Sequence, residues 1–188
     1  ELTFGVSLMS RFSTTYPDAM EVLPPNAPEP RGRAIQMNMF CDAAHANHHL
    51  TRRSTTGFVI FLQGTPILWY SKRQNTIESS TFGSEFVALK IATEVLEGLR
   101  YRLRMMGIPL QGTANTFCDN GSVVTNVSDP TSTLTKKHNA VAYHKVRESV
   151  AAGTQRIAHE LGKFNLSDVL TKNLTVYKHM ACCSCLLH

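Results

Sequence analysis

The longest helical pattern in the chain starts in Ser79–Lys90, which reads SSTFGSEFVALK, and it runs on to Leu103 without a proline. Its apolar residues recur at steps of three and four, the stripe of a helix packed on a core: Ala88, Leu89, Ala92, Leu96, Leu99 and Leu103. Several residues just upstream are good N-caps: Ser79, Ser80, Thr81 and Ser84. We therefore predict a long core helix that begins near residue 80.

Glu85 stands at the head of this apolar stripe, one turn before Ala88 and Leu89. A carboxylate there faces the body of the protein, and burial of an unpaired charge is costly. The simpler interpretation is a glutamate in the first helical turn, stabilised by the helix dipole. The helix alone leaves both interpretations open, so the other acidic residues have to decide between them.

The chain has 188 residues, a net charge of +5 and 43% hydrophobic residues, which fits one soluble domain with a single core. No apolar run approaches the ~18 residues of a membrane helix, so no membrane partner is expected. The N-terminus lacks a start methionine and the layout of a signal peptide, which suggests a piece of a longer chain. The five cysteines form no secreted framework. We therefore expect an intracellular, non-secreted protein.

Both ends of the chain look poorly structured. Residues 1–33 contain the stiff, proline-rich stretch Pro24–Pro30, and we interpret them as a connector from an upstream domain. The segment 176–188 is rich in cysteine and histidine. Its cysteines are spaced too closely for the usual zinc motifs, so we favour a frayed tail over a metal site.

The residues between these ends predict a mixed α/β sheet. Three β-rich runs come first, and the second and third are joined by a hairpin turn; two further strands alternate with helices. The predicted strands are Ala34–Asp42, Thr55–Leu62, Ile67–Ser71, Thr113–Cys118 and Gln155–Leu161. Shorter helices are predicted over Ser122–Val127, Ala140–Ala152 and Asn165–Thr171. Three antiparallel strands followed by parallel crossovers give a sheet with helices on its faces.

The loop 43–54 between the first two strands contains three histidines: His45, His48 and His49. Histidines this close together can bind a metal. The loop offers no carboxylate or cysteine partner, so we favour a polar loop.

Three acidic residues stand near the predicted sheet edge or the last helix. Asp42 and Asp119 each end a predicted strand, and Asp168 lies near the start of the last predicted helix. In open α/β sheets, ligands bind at the carboxyl edge of the strands. Each residue alone has a simpler explanation as a turn former or a helix-start charge. Together with Glu85 they would repel one another unless a hard cation held them together, and carboxylates suit Mg²⁺ or Mn²⁺.

Several short motifs, in this order, resemble the ribonuclease H domain of Ty1/copia-type retrotransposon polyproteins. They are Cys41–Ala46, Arg52–Gly57, Trp69–Gln74, Ser79–Leu89, Cys118–Asn120, Lys136–His138, Tyr143–Glu148 and Ser167–Lys172. The resemblance covers about residues 35–175. It implies an RNase H-like domain over 34–175, preceded by a link to reverse transcriptase and followed by the tail.

The resemblance also implies a function, which is hydrolysis of the RNA strand of RNA–DNA hybrids during reverse transcription. The catalytic and metal-binding residues would be Asp42, Glu85, Asp119 and Asp168. Two Mg²⁺ ions would be held there, with Mn²⁺ as a substitute. The implied partners are the hybrid and the upstream reverse transcriptase, in a cytoplasmic retrotransposon particle or the nucleus. The loop 162–165 lacks the histidine that many relatives carry before the last aspartate, so turnover could be low.

Candidates for nucleic-acid contacts lie near the same motifs. Cations that could neutralise phosphates are Arg52, Arg53, Lys72, Arg73, Lys136 and Lys137. Recognition of RNA requires a contact to the 2′-hydroxyl, and the candidates for it are Gln74, Asn120 and Ser122. Each cation could equally be a solvated surface charge.

Two other functions are compatible with the same sequence features. The same fold could be a catalytically weak or inactive module that binds nucleic acid or has a structural role. A DNA-cutting integrase or resolvase on a related fold is the weaker alternative, because the motif order matches ribonuclease H.

Overall fold

A computed structural model of the chain describes residues 16, 18–134 and 137–187. Its centre is one five-stranded sheet in the order β3-β2-β1-β4-β5. The strands are β1 (Met37–Ala44), β2 (Thr55–Leu62), β3 (Thr65–Arg73), β4 (Ala114–Cys118) and β5 (Gln155–His159). β1 and β3 are antiparallel to β2, whereas β4 is parallel to β1 and β5. The predicted mixed sheet is confirmed.

Among the described residues, four α-helices and two 3₁₀ turns accompany the sheet. They are α1 (Thr81–Met105), α2 (Gly121–Ser128), α3 (Ala140–Ala151) and α4 (Val176–Leu186), with 3₁₀ turns at Lys137–Asn139 and Leu166–Leu170. α1 and α3 pack on each other and α1 packs on β1 and β2, while the second 3₁₀ turn packs on β2 and α4. No helix in the described part of the chain is long and apolar enough to cross a membrane.

β1 is the central strand, and all eight of its residues are buried. Met39 and Cys41 belong to the main core shared with α1, while Phe40 belongs to a second core on the opposite face. There the ring of Phe40 stacks on Phe117 with centroids 4.9 Å apart. β1 begins at Met37 and pairs with β2 as far as Ala44, so it begins and ends later than predicted. Asp42 therefore lies inside the strand rather than at its end.

α1 confirms the predicted apolar stripe. Ser80 is its N-cap, and its side chain accepts a hydrogen bond from the Gly83 N–H at 3.2 Å. The stripe residues of α1 are buried except Leu99, which is half-buried. Glu85 is also buried, and it lies in the second turn rather than the first. The helix-dipole interpretation of Glu85 is therefore wrong.

Residues 18–33 of the expected connector form no helix or strand, and Glu21 holds them against the body, while residues 1–15 and 17 lie outside the described residues. The carboxylate of Glu21 accepts hydrogen bonds from Arg104 at 2.6 Å and from Arg100 at 2.7 Å. Arg100 is buried and also donates to the carbonyl oxygen of Gly112 at 2.8 Å. Burial raises the pKa of Glu21, but the two arginines outweigh it and leave that pKa below its usual value.

The expectation of a frayed C-terminal tail is wrong for the residues that form α4. Cys182 on α4 is buried in the second core with Phe40 and Phe117, which gives this short helix a reason to dock. In the described part of the chain, no cysteine or histidine of the tail belongs to a group that could hold a metal. His188 lies outside the described residues.

Candidate active site

Asp42 and Asp119 lie side by side because their strands are adjacent and parallel. Cys41 pairs with Cys118 in the register of β1 and β4. Asp42 follows Cys41 within β1, and Asp119 comes directly after Cys118, the last residue of β4. Asp42 is buried, and the side chain of Asp119 is 18% exposed. The predicted meeting of these two carboxylates at one edge of the sheet is confirmed.

Asp168 reaches the same edge from the 3₁₀ turn Leu166–Leu170. Asn165 caps this turn: its Oδ1 accepts from the Ser167 N–H at 3.2 Å, and its Nδ2 donates to the Cys41 carbonyl at 3.1 Å. The turn passes close over Gly57, which pairs with Asp42 in β2. A Cβ at Gly57 would lie 3.3 Å from the Ser167 carbonyl oxygen, and it would clash with the side chains of Leu170 and Thr171. Only glycine permits this approach.

Glu85 completes the set from α1, and its environment is unfavourable for a charge. Its Oε2 is buried and has no hydrogen-bond partner among the described residues. Burial, followed by repulsion from Asp42 and Asp119, raises the pKa of Glu85 to about 9. In the metal-free protein at neutral pH, this carboxyl group is therefore protonated.

These carboxylates fit a hard divalent cation. Oxygens of Asp42, Asp119 and Asp168 lie within 4.8 Å of one another, and a second group within this limit contains Glu85, Cys118 and Asp119. Burial raises the pKa of the Cys118 thiol, so this group is neutral and a poor ligand for Mg²⁺. The unpartnered Glu85 Oε2 is an oxygen that a cation would satisfy. The donor set therefore suits Mg²⁺ or Mn²⁺.

Lys172 lies among the aspartates, and it is not one of the site residues predicted from the sequence. Its Nζ is 2.9 Å from Asp168 Oδ1, 3.0 Å from Asp42 Oδ1 and 3.7 Å from Asp119 Oδ2. Burial lowers the pKa of Lys172, but its bonds to Asp168 and Asp42 outweigh burial and raise that pKa. The spacing of four residues between Asp168 and Lys172 is a signal that could have found this pair.

The second oxygens of Asp42 and Asp168 also have donors. Thr171 donates to Asp42 Oδ2, and Lys178 donates to Asp168 Oδ2. Burial and repulsion from Asp119 together raise the pKa of Asp42 by more than Thr171 and Lys172 lower it. No sequence signal pointed to Lys178, because it lies on α4 in the segment that was expected to be frayed.

A cleft of about 520 Å³ opens over Glu85, Asp119 and Lys172. Asn120 and Ser122 also line it, although the Asn120 side chain caps α2 by accepting from the Val123 N–H at 3.3 Å. His45 lines the cleft as well, with its Nδ1 3.2 Å from the Ser84 hydroxyl. The three loop histidines belong to no group of potential metal ligands in the described ranges.

A histidine does lie beside the site, although the loop 162–165 contains none. His159 ends β5, and its Nε2 is 3.1 Å from the backbone oxygen of Asp119. This residue lies within the predicted last strand, and no sequence motif points to a role for it.

The expected phosphate-binding residues divide into two places. Four of them are exposed at the same edge of the sheet as Asp42, because Thr55 pairs with both Ala44 and Arg73: Arg52, Arg53, Lys72 and Arg73. Lys137 lies apart from them, in a groove with Tyr143, His144 and Arg147. Lys136 is outside the described residues.

The structure contradicts the expected contact between Gln74 and a 2′-hydroxyl. Gln74 is 2% exposed, and its Nε2 donates to the Ser84 carbonyl at 2.8 Å and the Thr56 hydroxyl at 3.1 Å. Its side chain ties the end of β3 to α1 and β2. Its role is therefore in packing beneath the site.

Comparison with known proteins relates the chain to plant transposons. No family model matches it. It is 28% identical over 145 residues to the retrovirus-related Pol polyprotein from transposon RE2 of Arabidopsis thaliana, which covers 77% of this chain and 10% of that protein. Its identity to the Pol polyprotein from transposon TNT 1-94 of Nicotiana tabacum is 27% over 143 residues, or 76% and 11% of the two chains. The chain thus spans about a tenth of the length of these relatives.

Solved structures show the same fold at lower sequence identity. The N-terminal RNase H domain of a Mycobacterium tuberculosis protein matches with a TM-score of 0.56 and 12% identity, over 80% of this chain and 98% of that one. LC11-RNase H1 in complex with an RNA/DNA hybrid matches with a TM-score of 0.54 and 15% identity, over 72% and 94%. The chain therefore contains an RNase H-like domain related to the Pol polyproteins of copia-type retrotransposons.

Proposed function

We propose that this domain is a metal-dependent ribonuclease that cleaves the RNA strand of RNA–DNA hybrids, as part of a retrotransposon Pol polyprotein. The observation that carries the proposal is the convergence of four carboxylates from separate segments at one edge of an RNase H-like sheet: Asp42, Glu85, Asp119 and Asp168. Burying such a set costs free energy that packing alone does not explain.

The carboxylates would act by holding divalent ions at the floor of the cleft. Bound there, two such ions supply the Lewis acidity that activates an attacking water and stabilises the leaving oxygen of a phosphodiester. Asp119 belongs to both groups of potential ligands, so it is suited to bridge them. The backbone of β1, β4 and the capped 3₁₀ turn fixes these side chains before any substrate binds.

Exposed cations beside the cleft would bind the sugar–phosphate backbone. Arg52, Arg53, Lys72 and Arg73 lie along the edge of the sheet that carries Asp42. Phosphate contacts of this kind orient a duplex without reading its sequence. Asn120 and Ser122 line the cleft and are the remaining candidates for a contact to the 2′-hydroxyl.

The contacts of Lys172 favour a second candidate, a module of the polyprotein that binds nucleic acid but cleaves it weakly or not at all. Its ammonium group already neutralises Asp42 and Asp168, which are two of the four proposed ligands. A protein that keeps this ion pair under all conditions would retain the fold and the basic edge without useful catalysis.

The test is cleavage of a labelled RNA–DNA hybrid in Mg²⁺ and in chelator, with RNA duplex and DNA duplex as competing substrates. We expect the protein to cleave the hybrid but neither duplex, and to do so only in Mg²⁺. In Asp119→Asn the cleavage rate should fall by several orders of magnitude. Glu94→Gln, on the exposed face of α1, is the matched control and should cleave like wild type. Hybrid binding without cleavage would favour the second candidate, and cleavage by Asp119→Asn would contradict the proposed site.

The polyprotein context is part of the same proposal. An upstream reverse transcriptase would deliver the hybrid, inside a retrotransposon particle in the cytoplasm or in the nucleus. The domain joined to that upstream segment should then cleave faster than the domain alone.

A further inference from the structure

Lys172 places its ammonium group where it contacts three of the four carboxylates. Its Nζ lies 2.9–3.7 Å from oxygens of Asp168, Asp42 and Asp119. The residue follows the 3₁₀ turn on an irregular stretch before α4, and its side chain is 38% exposed. A long lysine stem on such a stretch can swing outward without disturbing the sheet.

The four carboxylates differ in how far their oxygens are already satisfied. Both oxygens of Asp42 have a donor, Lys172 on Oδ1 and Thr171 on Oδ2. Both oxygens of Asp168 also have a donor, Lys172 on Oδ1 and Lys178 on Oδ2. In contrast, Oε2 of Glu85 is buried without a partner in the described ranges.

Because of this difference, the two sides of the cluster should differ in their affinity for a divalent ion. On the side of Glu85 and Asp119, an ion would meet an unsatisfied oxygen. On the side of Asp42 and Asp168, an ion would have to replace hydrogen bonds that are already formed. Two positive charges cannot occupy one small site, so the ammonium group and the ion exclude each other there.

We propose that Lys172 is an internal cation that competes with the second divalent ion for the side formed by Asp42 and Asp168. The first ion binds on the side of Glu85 and Asp119, and the second binds only when the side chain of Lys172 has swung away. The inference rests on the proposed metal-dependent function and assigns to that site a residue that controls its occupancy. Lys172 is thus a positioning residue, because it acts through the carboxylates.

The test is a Mn²⁺ titration followed by the electron paramagnetic resonance signal of free Mn²⁺, without substrate. Wild type should bind one ion tightly and a second at least about tenfold more weakly. In Lys172→Met, the second dissociation constant should fall by at least about tenfold, equivalent to ~1.4 kcal/mol, with little change in the first. Lys90→Met removes a half-buried lysine on α1 that pairs with Glu94 at 3.0 Å, and it should leave both constants unchanged.

Thermal melting gives a second readout that does not depend on activity. Lys172→Met removes the ammonium group shared by Asp42 and Asp168, and only Asp168 keeps another, from Lys178. The variant should therefore melt below wild type in chelator and gain more from Mn²⁺. If this variant is unfolded in chelator but folds in Mn²⁺, the ion has replaced the missing ammonium group, as the inference requires. Failure to fold in both conditions would show that Lys172 is a structural residue and would overturn the inference.

The outcomes separate this inference from the proposed function. If wild type binds Mn²⁺ and Lys172→Met has the same second constant within twofold, Lys172 does not compete and only this inference fails. If neither protein binds Mn²⁺, the metal-dependent function fails and the inference falls with it. Binding of a second ion by Lys172→Met alone would support the competition in its strongest form.

Discussion

Replacement of Glu85 by glutamine should stabilise the metal-free protein, although it removes a proposed catalytic group. Glu85 is 3% exposed, its Oε2 is unpartnered, and its pKa is raised from 4.5 to about 9. Between these two values the unfolded chain carries an ionised Glu85, whereas the folded protein keeps it protonated. Folding then takes up a proton, so the stability of the metal-free protein falls as pH rises through this window.

The size of the effect follows from the same shift. Each pH unit above 4.5 lowers the free energy of unfolding of the metal-free protein by about 1.4 kcal/mol, so at pH 7 it is lower by about 3 kcal/mol. Glutamine has the shape of the protonated acid and no charge to lose. Glu85→Gln should therefore be about 3 kcal/mol more stable at pH 7, which for a domain of this size raises the melting temperature by roughly 6–12 °C. The difference should vanish near pH 4.5 and stop growing near pH 9.

The assay is a series of thermal melts in chelator from pH 5 to pH 9, for wild type, Glu85→Gln and the control Glu94→Gln. Glu94 lies on the same helix and is 46% exposed, so its amide variant should stay within about 0.5 kcal/mol of wild type at every pH. Added Mg²⁺ should stabilise wild type more than Glu85→Gln. The reasoning is refuted if Glu85→Gln is no more stable than wild type at pH 8 in chelator, or if the difference does not grow with pH.

Three further predictions concern the supports of the site. Gly57→Ala should lower the free energy of unfolding in urea by about 1–3 kcal/mol and weaken Mn²⁺ binding, because its methyl group would push away the turn that carries Asp168. The control Gly98→Ala lies in open space on α1 and should be neutral or stabilising. Equal changes in stability for the two variants would contradict the role of Gly57. Glu21→Gln should cost about 2 kcal/mol at pH 7 and progressively less as pH falls below about 4.5, because the lowered pKa of Glu21 makes its contribution one that acid removes. A cost that does not shrink as pH falls below about 4.5 would contradict the ion pair. Arg52→Ala should flatten the salt dependence of hybrid binding by about one unit of slope, and an unchanged slope would make this residue a solvated surface charge.

The parts of the fold that sequence could predict are those set by local periodicity. The apolar stripe of α1 predicted its buried face, and alternation in β1 predicted that Met37, Met39 and Cys41 share a side. Two aspartates next to parallel strands predicted one meeting point, because the carboxyl ends of such strands share an edge.

The parts that sequence could not predict depend on partners far along the chain. Gln74 stands at the exit of a strand, where a polar residue looks exposed, but Thr56 and Ser84 bury its amide from two other elements. α4 is short and only Cys182 on it is buried, so its docking depends on the second core beneath it. A local pattern contains no information about either arrangement.

Lys172 and Lys178 are not predicted as site residues for the same reason, because Lys172 meets Asp42 from far along the chain and Lys178 lies on α4. Four carboxylates at one edge require positive charge nearby, and from the sequence a metal ion is the cation expected there. The structure supplies part of it from the chain, because Lys172 and Lys178 face Asp42 and Asp168 while Glu85 is neutral in its protonated form. Two ammonium groups against three aspartates leave little net charge to bury, so the domain can fold before it meets an ion. A metal that binds must then displace an ammonium group or a proton, and its affinity depends on these residues as much as on its ligands.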